Sequence, residues 1–402
     1  MIRIIILGGS FGGLTAALEL RQRLGPDQCD ILLLAKDDRF VFIPSLPWVA
    51  IGTRTLEQIS FPLAKTLKRK TIRFSQQAAR QIDPAKRLVH TDQEDHHYDY
   101  LVIATGHRSA NEAVPGLGPF DGPGHSLMSP PEVLEARQSL KDFLLNPGPL
   151  VVGCAPGASC IGPSYEFAFA MDHLLRHRKI RHRVPITLVT PEPFPGHFGL
   201  GGVGNTRRFV EDALEKREIR YHTSAVVSRI TSTAVELADG PKIESCFSLI
   251  LPPLAGVKAV TDSPGLANAK GFIPVDEYYR HPAFPNIYAA GVAVAMAPVA
   301  PTPVPVNFPK TGGMTEQMAR AVAHNMAADI QGGARISKDL FAECIMDMGD
   351  TAAYFKAEPV RPPRNVARMA GGKRWLWAKK AFERYYLWKA RRGKTFAAGW
   401  GW

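Results

Sequence analysis

The chain opens on MIRIIILGGS, in which Ile4 to Leu7 are consecutive apolar residues closed by glycine. A run that is apolar at every position, rather than at alternate ones, predicts a strand covered on both faces. GGSFGG (Gly8–Gly13) follows, and apolar residues at helical spacing then predict a helix over Leu14–Leu24. Ile31–Leu34 repeats the buried run at the distance expected for a second parallel strand. Further on, YDYLVIATG (Tyr98–Gly106) passes from polar to apolar and ends in a turn, and NIYAAGV (Asn286–Val292) closes on a glycine in the same way. Between them, within Gly148–Ala255, strands are expected at Leu150–Val152, Ile186–Val189, Ala225–Ile230 and Leu249–Leu251. Strands of this kind alternating with helical stretches predict an α/β fold with two parallel sheets.

One stretch imitates a membrane span. Ile287–Val306 runs for twenty residues without a charge. Pro298, Pro301, Pro303 and Pro305 remove amide donors and break a helix, so the stretch reads as a buried strand followed by an extended apolar loop.

At 402 residues the chain is long enough for two or three cores, and its 45% hydrophobic and 21% charged residues are ordinary for a globular protein. The first residues show no basic stretch, apolar core and small-residue cleavage site in series, so cleaved export is not expected. Charge is uneven. Lys356 to Lys394 holds 13 Lys/Arg against 2 acidic residues, or +11 of the net +12, and Trp375, Trp377, Trp388, Trp400 and Trp402 lie in this last part of the chain. A helical wheel puts Trp375, Ala378, Phe382 and Tyr386 on one stripe with Lys380, Arg384 and Arg391 opposite, while Leu376 and Leu387 fall beside the charges. The preferred reading is a helix lying on an anionic membrane surface, which makes the protein peripheral to the membrane. A solvated basic face and a nucleic-acid surface are the other readings, and no nucleic-acid partner is expected.

The glycine turns carry the next layer. GGSFGG suits a pyrophosphate on a helix start, although Ser10 stands at the middle glycine of GxGxxG and the second strand closes on Ala35-Lys36 without an acid. Combined with the ATG turn and the late NIYAAG strand, it marks an FAD-binding, Rossmann-like unit, with Val292 where an acidic residue usually follows the last glycine. The second unit departs further: its turn is Gly153-Cys154-Ala155-Pro156-Gly157-Ala158, and its next strand ends at Thr190. Lost glycines and a missing carboxylate argue against nicotinamide binding there. Five cysteines (Cys29, Cys154, Cys160, Cys246, Cys344) do not form an even disulfide framework. Cys160 begins a helix, where the macrodipole favours a thiolate; a buried small hydrophobe is the alternative. Cys154 reads as a buried residue at a strand end.

GASCIGPSYEF (Gly157–Phe167), the distant CIMDMGD (Cys344–Asp350) and AFERYYLWK, together with FVFIPSLPWVAIG (Phe40–Gly52), EPFPGHFGLGGVG (Glu192–Gly204) and PVPVNFPKTGGM (Pro303–Met314), resemble the sulfide:quinone oxidoreductases over nearly the whole chain. The resemblance implies that Cys160 and Cys344 form the redox pair, with Cys344 on the flavin side and Cys160 carrying sulfur. It implies FAD as cofactor, sulfide as donor and a membrane quinone as acceptor. Glu166 is a candidate proton relay or a solvated helix carboxylate, and His197 a candidate near the sulfide site or a structural loop residue. Cofactor-binding positions are Gly8, Ser10, Phe11, Gly12, Gly13, Ala35, Lys36, Ile43, Gly106, Gly291, Val292, Lys310 and Gly312, with Lys310 at the flavin's pyrimidine edge or else on the surface. Phe42, Pro44, Phe308 and Phe382 are candidates for the quinone slot, and no metal is expected. Met128 stands where many members have a third cysteine, and Glu132 where they have a histidine. The expected division is a flavin domain in two parts (1–110 and 266–335), a second Rossmann-like domain with a degraded nucleotide site (111–265) and a C-terminal region (336–402). Rival readings are a flavocytochrome c sulfide dehydrogenase flavoprotein, a type II NADH:quinone oxidoreductase and a flavin-binding module without turnover. Monomer and homo-oligomer are both left open.

Overall fold

The computed structural model describes residues 1–118 and 122–395. The opening apolar run is β1 (Ile2–Leu7), followed by α1 (Phe11–Arg23) and β2 (Cys29–Ala35). A short helix α2 (Leu46–Ala50), β3 (Arg73–Gln76) and β4 (Tyr100–Ile103) come next. The second unit contains β5 (Leu150–Cys154), α3 (Gly162–His177), β6 (Ile186–Val189), β7 (Ile219–His222) and β8 (Phe247–Leu251). The chain then returns to the first sheet with β9 (Ile287–Ala289) and α4 (Gly312–Gln331). It ends in β10 (Ala342–Asp347), β11 (Ala352–Glu358), β12 (Val366–Gly371) and α5 (Lys373–Arg391).

Two parallel sheets organise the molecule: β9–β4–β1–β2–β3, and β7–β6–β5–β8. Ile4, Ile6, Ile31, Leu33, Leu101 and Ile103 are fully buried, as unbroken apolar strands require when both faces are covered. Parallel pairing puts the carboxyl ends of β1, β2, β4 and β9 on one edge, where ligands of such sheets bind. Residues 342–371 make a separate antiparallel sheet in the order β10–β11–β12.

Two expectations are corrected, and the reading of Ile287–Val306 as a buried strand and extended loop holds. The first helix begins at Phe11, so the whole glycine turn lies against its first residues. Val227–Ile230 pairs antiparallel in a small three-stranded sheet, not in the second parallel sheet, because Ser228 and Arg229 are exposed between two buried ends. Ile219–His222 takes the place in the parallel sheet, at its edge, where a strand with two exposed polar residues is tolerated. Ile287–Val306 forms β9, then a single turn at Gly291–Ala293 and no further regular element. Among the described residues no helix is long and apolar enough to cross a membrane.

The C-terminal helix keeps the two faces of its wheel but turns the aromatic one toward the protein. Its buried residues are Lys379, Glu383, Tyr386, Leu387, Lys389 and Ala390. The Trp375 ring stacks on Tyr354 of β11 at 4.1 Å, and Phe382 and Tyr386 meet Phe42 at 6.0 and 5.1 Å. The aromatic stripe therefore packs against the protein, each pair contributing about 0.5–1.5 kcal/mol beyond area burial. Outward lie Arg374, Trp377, Lys380, Arg384, Trp388 and Arg391, with Trp377 72% exposed. Trp400 and Trp402 lie outside the described residues.

Candidate active site

At the edge where β1, β4 and β9 end, the backbone packs too closely for side chains. A Cβ on Gly8, whose φ is +108°, would lie 2.2 Å from the Ala104 carbonyl oxygen; one on Gly13 would lie 1.9 Å from the Gly8 oxygen. A Cβ on Gly291, at φ +74°, would lie 2.7 Å from the Thr315 side chain. Ser10 gives α1 no side-chain cap, which leaves first-turn amides for an anion. α4 starts at Gly312 over the Phe11 ring, and the Thr105 hydroxyl beside Gly106 is buried without a partner. A cradle closed by glycines, two converging helix starts and an orphaned hydroxyl fit a dinucleotide such as FAD. Lys310 is partly buried and donates to the Val292 and Val294 carbonyls at 2.9 and 2.5 Å, with the Phe272 ring 4.1 Å from its ammonium. Burial lowers it to about 8. His107, which the sequence reading passed over, is pushed down to about 4 by burial and by Lys310 and Lys36. Lys36 and Ile43 are exposed.

The turn of the second unit is occupied by the chain itself. The Gly157 amide donates to the Pro305 carbonyl (2.6 Å), Asn307 donates to the Ala158 and Gly157 carbonyls (3.1 and 2.6 Å), and the Ser159 hydroxyl to that of Phe308 (2.5 Å). A carboxylate does exist near the end of β6, two residues past Thr190. Glu192 is fully buried and accepts from the Tyr165 hydroxyl, the Thr190 hydroxyl and the Phe198 amide at 2.6, 2.7 and 2.6 Å. Cys154 is buried with its thiol on the Ser164 hydroxyl at 3.3 Å, and burial holds that thiol far above the usual range.

Clamping this turn sets Cys160 just ahead of α3, facing β10. Cys344 stands in mid-strand on β10, and its thiol feels Lys379, Glu166, Cys160 and Glu343. Glu166 is one and a half turns beyond Cys160 and is buried, which removes the solvated alternative. It pairs with the Lys379 ammonium, delivered from α5, and faces the Asp347 amide. Burial raises Glu166 to about 7 despite the lysine. The thiols are raised as well, Cys160 to about 11 by burial and then Glu166, Cys344 to about 12 by burial. The expected helix-start thiolate is corrected here: α3 begins two residues later, at Gly162, and desolvation outweighs any dipole.

Trp48 closes the far side. Its indole donates to Asp347 at 2.6 Å, while Lys379 and Arg54 sit 5.1 and 4.9 Å from its ring centre. Glu383 accepts from Ser45 (2.5 Å) and Arg54 (2.9 Å), so α5 is tied to the α2 segment one turn beyond Lys379. Phe42 and Phe382 come together with Phe11, Phe40 and Tyr386, and Pro44 lies exposed beside them. Phe308 lies elsewhere, on the Cys160 loop under Arg361. His197 is buried, with Nδ1 accepting the Gly199 amide at 3.2 Å, and burial lowers its pKa. Lys379, Trp48, Asp347 and Glu192 were missed by sequence reasoning. Trp48, Glu192 and Asp347 stood within the quoted motifs, but nothing local distinguishes an inward lysine from an outward one.

Residues 2–323 match the family described as pyridine nucleotide-disulphide oxidoreductase. The sulfide-quinone reductase of Aquifex aeolicus is 38% identical over 97% of this chain and 91% of the relative. The chain belongs to the sulfide:quinone oxidoreductase family. The crystal structure of the Aquifex aeolicus sulfide:quinone oxidoreductase superposes with a TM-score of 0.95 over 99% of this chain and 93% of that one, at 37% identity. NDH2 from Plasmodium falciparum, solved with NADH, reaches a TM-score of 0.74 over 98% and 96% of the two chains at 16% identity, a likeness of fold alone. The fold is thus the mixed α/β architecture of this family, with both parallel sheets in place.

Proposed function

We propose that this chain oxidises hydrosulfide to sulfane sulfur through Cys160 and Cys344 and passes two electrons by way of FAD to a membrane quinone. The observation that carries the reading is the meeting of two thiols 184 positions apart with a buried carboxylate–ammonium pair, on a family match spanning nearly the whole chain. Attack of hydrosulfide on the oxidised pair forms one S–S bond and breaks another, leaving a persulfide on Cys160 and a thiolate on Cys344. Glu166, raised to about 7, takes the proton released at the pair, and Lys379 balances the charge on Cys344, whose thiol is otherwise too weak an acid. Bound FAD supplies the two-electron step between the sulfur chemistry and the quinone. Gly8, Gly12, Gly13, Gly106, Gly291 and Gly312 would hold it by close backbone approach, with Ser10, Phe11, Ala35, Val292 and Lys310 around it. Phe42, Pro44 and Phe382 form the quinone slot, and His197 works from the loop next to the sulfide site.

The second dinucleotide site is given up: its turn is bonded to residues 305–308 and its acid is turned inward. The outer face of α5, with Trp377, Trp388 and its arginines, rests on an anionic membrane surface. The four-part division at 110, 265 and 335 belongs to the same reading. Anaerobic titration of the FAD-loaded protein tests the reaction. Sulfide should bleach the flavin absorbance stoichiometrically and NADH should not; fast bleaching by NADH alone would replace this reading with the NADH:quinone one. For the membrane, Trp377→Ala with Arg384→Glu should weaken flotation with anionic vesicles by roughly tenfold while sulfide bleaching persists. Unchanged flotation removes the membrane claim.

A further inference from the structure

We infer that Glu192 is a positioning residue for the sulfide half-reaction, holding the glycine-rich segment Gly196–Gly204 against β11, the strand paired with the one that carries Cys344; this rests on the reaction proposed above. Glu192 is fully buried, and its carboxylate accepts three hydrogen bonds, from the Tyr165 hydroxyl, the Thr190 hydroxyl and the Phe198 amide. The Tyr165 hydroxyl in turn accepts the Gly196 amide at 3.2 Å. Two consecutive anchors therefore bracket His197.

Phe198 shows what the anchors impose. Its φ is +54°, a left-handed conformation that non-glycine residues hold only when surroundings fix it. In that conformation its ring meets Tyr165 edge-on at 5.5 Å and stacks on Phe355 at 5.2 Å with 9° between planes. Phe355 is the register partner of Cys344 across the β10–β11 pair, and directly opposed residues share a face of the sheet. A contact path thus runs from Glu192 through Phe198 and Phe355 to the face of Cys344. Arg364 fixes the far end of the segment by donating to the Leu200 and Gly202 carbonyls at 2.6 and 2.7 Å. Glycines at positive φ on both sides of Phe198 leave the backbone little stiffness of its own, so the anchors decide its place. The carboxylate stands three residues past the end of β6, close to where a dinucleotide unit places the acid that binds a ribose. Here that acid is spent on the loop.

The test compares FAD-loaded parent, Glu192→Ala and Glu192→Gln by hydrogen exchange and by steady-state kinetics. Glu192→Ala should raise exchange within Gly196–Gly204 and lower kcat/KM for sulfide at least tenfold, with KM for quinone and flavin content unchanged. Glu192→Gln keeps an oxygen for the Phe198 amide and should recover part of both effects. The inference is overturned if local exchange does not rise, if it rises while sulfide kinetics stay at parent values, or if sulfide and quinone parameters fall together with a global loss of protection. A parent that never reacts with sulfide sinks the reaction reading instead, and local exchange then still judges the anchoring by Glu192. Should Glu192→Ala fail to fold, Tyr165→Phe removes one donor to the carboxylate and the acceptor of the Gly196 amide. Unchanged exchange and sulfide kinetics in that variant overturn the inference equally.

Discussion

The two parallel-sheet units begin alike and diverge within a few residues of their first strands. In the first, α1 starts four positions after β1 ends, and the turn between is Gly8-Gly9-Ser10. In the second, α3 starts eight positions after β5 ends, and the added residues carry Cys160. The first turn leaves helix-start amides for an anion, whereas the second gives its amide and carbonyls to residues 305–308. One supersecondary unit can thus present either a phosphate cradle or a thiol. What decides is whether the turn's polar groups point at a ligand or are satisfied by the chain.

The sharpest way to break this comparison is to remove a thiol. Cys160→Ser or Cys344→Ser should reduce the rate of sulfide bleaching by about a thousandfold or more while flavin content stays at parent level. A variant that bleaches normally would end the redox-pair account of the second turn.

A second test exchanges the two turns' side chains. Gly8→Ala puts a methyl group 2.2 Å from a backbone carbonyl at positive φ, so purified protein should contain little or no FAD. Ala158→Gly, the reciprocal change in the second unit, should not create NADH bleaching, because residues 305–308 still occupy the turn. Gain of NADH bleaching would mean that glycine content alone separates the two units.

Lys379→Met asks how far the thiol site depends on the C-terminal helix. Leaving Glu166 buried without its cation should cost about 3–5 kcal/mol and slow sulfide bleaching by roughly 100-fold. Glu166 is raised to about 7 in the fold, above its unfolded value, so it binds its proton more tightly when folded. Its contribution to stability therefore declines as pH rises from the ordinary carboxylate range through 7. Glu166→Gln should erase that slope, measured as the difference in Tm between about pH 5 and about pH 8. A slope identical to the parent's would place the titration elsewhere.

The smallest effect is expected at Cys154, the last residue of β5. Cys154→Ser should cost about 1–2 kcal/mol in a melting curve and leave sulfide bleaching at the parent rate. A folded but inactive variant would assign that thiol a part in the chemistry.

Much of this was legible in the chain itself. Consecutive apolar runs announced β1, β2, β5, β6, β8 and β9, because a strand covered on both faces must be apolar throughout. The glycines of the first turn and the pairing of GASCIGPSYEF with a distant cysteine pointed to the chemistry, since close approach and sulfur exchange admit few other residues. The edge strand Ile219–His222 escaped notice because two exposed polar positions dilute its apolar signal. The sequence by itself determined the two parallel sheets, the flavin turn and the candidate thiols, all properties of short segments. Only tertiary structure decided which charges lie inside. Lys379, Glu383 and Lys389 belong to a helix whose composition reads as a basic surface, yet each is buried against an opposite charge from a distant element: Lys379 on Glu166, Glu383 on Arg54, Lys389 on Glu316. A buried ion is stable only beside its partner, and a partner 73 to 329 positions away leaves no trace in local periodicity.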